Sequence, residues 1–344
     1  MKRSQNIEVK PYVPKRLRTK QSDEKKPRPS ETTKSTNDSN TNFKHTKAVT
    51  KIKWHPSLDN KVATTSLDGK IIVWEVTSNN SLTSKQCFTE HHEGIKDLKW
   101  NTDGSSFLTA SFDKTCKIWD LVTGVCKEDI KFNDLLTSAI YHSEDVNIFL
   151  VGTLSSGIQA MDIREKKIIK KYKSFFGQVQ DMMFLPDRTT FLSCAEAVKR
   201  NSLDKTIMAW DFKTGAVLSN QIYPEPYTCS SLKLHPNQRN FLAQSSAGYI
   251  AIFDTEKPWR LNRRKRFESH QVTGYKVDFD FDFTGCKLYS GDITGCVYTF
   301  DWFSSKVNKI QKIFDSPCVS LACHPKINSM LCVGSWEGDV EIIV

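Results

Sequence analysis

No apolar run in this chain approaches the roughly 18–20 residues that cross a bilayer, and the start MKRSQNIEVK offers no apolar segment for secretion. Residence in the cytosol or nucleus, without membrane contact, is the expectation. The ten cysteines include no C-x-x-C pair, which removes the usual zinc and redox spacings. Cys116, Cys286, Cys296 and Cys332 fall in strand-like stretches and read as reduced core thiols. Also missing are G-x-x-x-x-G-K-S/T, G-x-G-x-x-G, H-E-x-x-H and the kinase motifs. Without a phosphate cradle, dinucleotide fingerprint or metalloprotease helix, no cofactor, metal, small-molecule substrate or enzymatic activity is expected.

Acidic residues are scarce near the N-terminus. Residues 1–44 hold 12 Lys/Arg against 5 Asp/Glu, a net of +7, whereas residues 45–344 hold 37 against 34, a net of +3. Most of the basicity therefore sits in a segment of Lys, Ser, Thr, Asn and Pro that cannot bury enough surface to offset the entropy of ordering, and residues 1–39 are expected to be a disordered tail. Its clusters Lys15, Arg16, Arg18 and Lys25, Lys26, Arg28 read as a nuclear-import signal or a nucleic-acid contact. With 8 Trp, 9 Tyr and 20 Phe the chain has side chains for a sizeable core, assigned to residues 40–344.

That region repeats itself. Ser66-Leu67-Asp68-Gly69-Lys70-Ile71-Ile72-Val73-Trp74 recurs as Ser111-Phe112-Asp113-Lys114-Thr115-Cys116-Lys117-Ile118-Trp119, and again over Ser202–Trp210. Allowing Met, Phe or Ile for the Trp gives seven markers at 74, 119, 161, 210, 253, 300 and 343, spaced by 42 to 49 residues. The spacing fits a four-stranded propeller blade, and seven markers predict an all-β, seven-bladed propeller. Each unit also carries an earlier alternating segment such as Val49–Trp54 or Ile95–Trp100, which marks a strand with one buried face. His55-Pro56, His235-Pro236 and His324-Pro325 recur at one repeat position after a strand and read as turns rather than metal ligands.

His45 and His91 stand 29 and 28 residues before Trp74 and Trp119. The combination resembles the WD-repeat pattern, in which His, Ser, Asp and Trp form a hydrogen-bonded network. The resemblance implies such a network from His45, Ser66, Asp68 and Trp74 and from His91, Ser111, Asp113 and Trp119. Blade four keeps Ser202, Asp204 and Trp210, whereas Ser155, Ala247, Thr294 and Glu337 stand where the turn Asp belongs elsewhere. His, Ser and Asp repeating at blade period beside a Trp do not point to hydrolysis. Trp259-Arg260-Leu261-Asn262, a basic run and His270 to Tyr275 resemble the WD-repeat splicing factors of the second catalytic step of pre-mRNA splicing. The segment 195–201 and Ala209–Phe212 are closer still to a paralogue group of those factors, the WD repeat-containing protein 25 family.

These readings predict a monomeric adaptor within a nuclear ribonucleoprotein assembly, binding proteins mainly and RNA phosphates secondarily. A substrate receptor of a cullin-type ubiquitin ligase is the alternative, with Met161-Asp162-Ile163-Arg164 as a degenerate Trp-Asp-x-Arg motif. The residue before each turn Asp position is large and apolar in six units: Leu67, Phe112, Leu154, Leu203, Ile293 and Trp336. Turn tips favour small polar residues, so these six are the expected protein-binding face, with Trp336, Leu67 and Phe112 as neighbours. Arg260, Arg263, Arg264, Lys265 and Arg266 are the expected phosphate contacts, alternating to both sides of an outer strand. Residues 40–44 are expected to supply the outer strand of blade seven, with an open three-stranded last blade as the alternative.

Overall fold

The computed structural model of the chain describes residues 43–173, 177–196 and 206–344. All regular structure among them is β, in seven antiparallel sheets whose strands follow chain order. Six sheets have four strands and cover residues 49–88, 95–131, 136–172, 179–219, 229–268 and 279–312; the seventh, 318–343, has three. The seven predicted markers all fall in the third strand of a blade: Trp74, Trp119, Met161, Trp210, Phe253, Phe300 and Ile343.

Period-2 patterning explains why these sheets stack. The second strand of blade two, Ser106–Ser111, is buried on both faces, while the outer strand Cys126–Lys131 alternates between exposed and better covered residues. Inner strands thus have apolar sides to cover, and each is covered by the neighbouring blade. The core accordingly consists of seven clusters, one at each blade-to-blade interface. Val49, Ile52, Trp54 and Val62 of blade one pack with Ala322, Met330 and Cys332 of blade seven, which closes the ring. Trp54 Nε1 also donates to the Ala322 carbonyl at 3.0 Å. Gly334 permits this approach, because a Cβ there would stand 2.7 Å from Val49 Cγ1.

Among the described residues, blade seven remains three-stranded. Phe43 and Lys44, the described part of the expected closing segment, lie in no strand, and residues 40–42 are outside the described set. Phe43 instead packs on the cluster between blades seven and one, and its amide donates to Ser84 Oγ at 2.8 Å.

All ten cysteines are free, and Cys116, Cys194, Cys229, Cys318 and Cys332 are buried. Burial pushes the Cys318 thiol up to about 12. Cys286 corrects the core reading, because it is exposed in a bend just before a strand.

Candidate macromolecular interface

In blade one, Asp68 Oδ2 lies 3.3 Å from His45 Nδ1, His45 Nε2 lies 2.7 Å from Thr64 Oγ1, and Trp74 Nε1 donates to Thr64 Oγ1 at 2.8 Å. Blade two repeats the chain through Asp113, His91, Thr109 and Trp119 at 2.7, 2.8 and 2.9 Å. With Nδ1–H donating to the carboxylate, Nε2 accepts from the threonine, which accepts from the indole. The bridging hydroxyl is therefore Thr64 or Thr109, not the expected Ser66 or Ser111. Those serines cap the turn: Ser66 Oγ donates to the Lys47 carbonyl at 2.8 Å and accepts from the Asp68 amide at 3.1 Å. Burial pulls the Asp68 carboxyl up, but His45 and the amides of Thr46 and Lys70 outweigh it and hold it at about 2. Thr64 and Thr109 are fully buried, and this Asp-His-Thr chain ties strands together.

Other blades substitute different groups. In blade four Trp210 Nε1 donates to Ser193 Oγ at 2.9 Å, while the expected Ser202 and Asp204 lie outside the described residues. In blade three the carboxylate comes from the opposite side, where Asp134 Oδ2 accepts from the amides of Ser155 and Ser156 at 2.8 Å. In blade six Asp292, two residues before Thr294, accepts from the Gln271 amide at 2.9 Å.

The His-Pro turns join blades. His55 Nε2 meets the Gly104 carbonyl at 3.0 Å, His235 Nε2 meets Gly285 at 3.0 Å, and His324 Nε2 meets Asp59 at 2.7 Å, each on the next blade. Nδ1 of each accepts a backbone amide two or three residues on, which leaves Nε2 to face the carbonyl. Towards the axis, Lys51 of blade one reaches Asp278 of blade six at 2.8 Å, both side chains nearly sealed. Burial opposes the Lys51 charge, yet Asp278, Asp181 and Asp97 together raise its pKa far above the ordinary value.

The predicted face residues lie at the turns between second and third strands. Their amides repeat one contact: Leu67 N to Ala48 O, Phe112 N to Gly94 O, Leu154 N to Leu135 O and Trp336 N to Pro317 O, at 2.8–3.0 Å. This shared contact places the turns at one end of the propeller. Trp336 is 44% exposed and Leu154 37%, whereas Leu67, Phe112 and Ile293 are half-buried. Trp336 stands edge-on to Tyr275 at 4.9 Å, and Lys96 Nζ lies 5.4 Å from the Phe112 ring centre. Leu67 leans on Gly94, whose carbonyl takes the Phe112 amide, so Leu67 and Phe112 flank one loop. Leu203 lies outside the described residues.

The basic run departs from a regular strand. Register jumps from Ala251↔Arg266 to Phe253↔Leu261, so five steps of the outer strand face two of its partner and residues 262–265 bulge outward. Asn262 Oδ1 holds the bulge by accepting the Arg264 and Lys265 amides at 3.0 and 3.1 Å. Arg260, Arg263 and Arg264 are exposed. Lys265 Nζ sits 4.1 Å from the Trp302 ring centre, and burial lowers its pKa. Arg266 lies over the Tyr249 ring at 4.9 Å and pairs with Glu268.

The family described as WD domain, G-beta repeat matches residues 38–75 and 82–120, the two units with the full hydrogen-bonded chain. The chain is a seven-bladed β-propeller whose first two blades match the WD repeat. It is 36% identical to mouse WD repeat-containing protein 25 over 87% of its length, covering 56% of that protein. It is 27% identical to human Pre-mRNA-processing factor 17 and 26% identical to the Saccharomyces cerevisiae protein of that name. Those matches again span 87% of this chain, and 50% and 64% of the relatives. The chain thus spans between half and two thirds of the length of these relatives.

Several working residues of the propeller carry no motif in the sequence. Thr64 and Thr109 precede their Trp by ten residues, but Ser66 and Ser111 lie on the same strand face and matched the motif. Phe303 at a turn beside the basic bulge carried no repeat signal. Arg164 of the degenerate ligase motif is held by Asp162 at 2.7 Å and Asp145 at 3.0 Å. Lys15, Arg16, Arg18, Lys25, Lys26 and Arg28 lie outside the described residues.

Proposed function

We propose that this WD-repeat chain is a non-enzymatic scaffold in a nuclear ribonucleoprotein assembly linked to pre-mRNA splicing. It acts as a monomer within a larger complex. Proteins dock on the end bearing Leu67, Phe112, Leu154, Ile293 and Trp336, and RNA phosphates meet Arg260, Arg263, Arg264, Lys265 and Arg266. The similarity to Pre-mRNA-processing factor 17 across 87% of the chain carries this reading. Exposed aromatic and aliphatic tips supply the chemistry for protein partners, since one anchoring Trp or Phe contributes ~2–4 kcal/mol to binding.

Affinity purification from nuclear extract followed by mass spectrometry tests it, comparing the natural chain with a Phe112→Ser, Trp336→Ser variant. Pre-mRNA-processing proteins should be recovered with the first and lost with the second, while the melting temperature of the variant stays close to the parent. A drop equivalent to ~3–5 kcal/mol per site with partners retained would assign these side chains to the core instead. Recovery of a cullin adaptor in place of processing factors would favour the ligase-receptor reading. A fluorescent fusion lacking residues 1–35 should disperse from the nucleus with propeller stability unchanged; strictly nuclear signal would end the import reading.

A further inference from the structure

The basic bulge does not stand alone on the rim. It shares a recess with the turn of blade six that follows Asp301, where Phe303 is 75% exposed. That turn is held in shape, because Asp301 Oδ1 accepts both the Ser304 amide and its hydroxyl at 2.7 Å and the Asp301 carbonyl takes the Ser305 amide at 2.9 Å. Across the recess, Arg263 and Arg264 project from the Asn262-stabilised bulge. Ser305, also in the lining, has a hydroxyl with no partner among the described residues.

We propose that this recess binds single-stranded RNA, with one unpaired base stacked on Phe303 and the flanking phosphates on Arg263 and Arg264. The assignment rests on the reading of the bulge as a phosphate contact, and adds the class of nucleic acid. Phe303 is the one hydrophobic side chain in a lining otherwise of Arg, Lys, Glu and Ser, which suits a flat aromatic ligand in water better than an apolar peptide needing a greasy groove. Planar guanidinium forks bond two phosphate oxygens at once. In a duplex the bases are already stacked on each other, so an aromatic side chain gains nothing there; in a single strand every base offers a free face. Rigid anchoring on both sides means little ordering cost on binding.

The test uses the full chain and a labelled oligouridylate of about twelve nucleotides, with anisotropy followed from about 50 to 300 mM salt. Phe303→Ala should weaken binding about 5- to 100-fold with the salt slope unchanged, and Phe303→Trp should retain affinity with indole emission quenched on binding. Arg263→Ala with Arg264→Ala should flatten the slope by about 1.4, the value for two single-strand phosphates. A flattened slope with Phe303→Ala binding at parental affinity would overturn the stacking and leave the phosphate contact standing. An unchanged slope in the double Arg variant would overturn the phosphate reading itself. Equal affinity for an RNA duplex of the same length, or equal competition by polyglutamate, would also reject single-strand recognition.

Discussion

At the scale of the residue, the informative group is a hydroxyl. Thr64 is the one side chain that both His45 and Trp74 use, so Thr64→Val, nearly the same in shape, leaves an indole N–H and an imidazole nitrogen buried without partners. The expected loss is ~2–4 kcal/mol, seen as a lower urea midpoint with unchanged m. Ser66→Ala removes only a turn cap and should cost ~1 kcal/mol. Equal losses would count against the bridging assignment. Thr64 and Ser66 are two residues apart on one strand, so alternation presents both to the same side, and only the depth of packing decides which one meets the indole.

At the scale of the element, turns carry the linkage between blades, and their histidines make it sensitive to acid. Burial lowers the pKa of His55, His142 and His235, and takes that of His270 down to about 4. The unfolded chain protonates these rings near 6.5, while the folded chain resists until lower pH. Proton uptake therefore favours unfolding below 6.5. Stability is complete above that value and is lost as pH falls towards about 4, with His270 alone contributing ~3 kcal/mol. Urea midpoints from neutral pH down to about 4 should decline, and His270→Gln should flatten the decline; a decline confined to the range below 4 would assign it to carboxylates such as Asp68. The basic element shows why periodicity misplaces side chains. Alternation assumed an unbroken strand, but Asn262 caps a local turn that turns the arginines outward together.

At the scale of the whole molecule, stability is distributed over seven interfaces rather than one centre, and closure depends on contacts that bring residues 49–62 to residues 322–332. The Lys51–Asp278 pair fastens blade one to blade six across blade seven. Removing one partner of a buried pair leaves an uncompensated charge, so Lys51→Met should cost ~3–5 kcal/mol, and Lys51→Met with Asp278→Asn should recover part of it. Hydrogen exchange should quicken mainly in blade seven and the strands facing it. Protection unchanged there would show that the pair does not help to hold the ring.

The repeat count, the all-β class and the phase of every marker were legible in the chain, because blade spacing and alternation are local and periodic. Of the groups linked to those markers, only the His and Asp of blades one and two were legible; the threonines that meet the indoles were not. Tertiary structure alone decided the rest: Asp134 and Asp292 replace the missing turn aspartates from other positions, and His55, His235 and His324 bond to neighbouring blades. It also set Phe303 beside Arg263. The Asp contacts close about half a repeat from positions that no motif marks, whereas the His and Phe303 contacts join residues roughly one repeat apart or more, and their pairing follows from how sheets stack around an axis, a geometry that no single repeat contains.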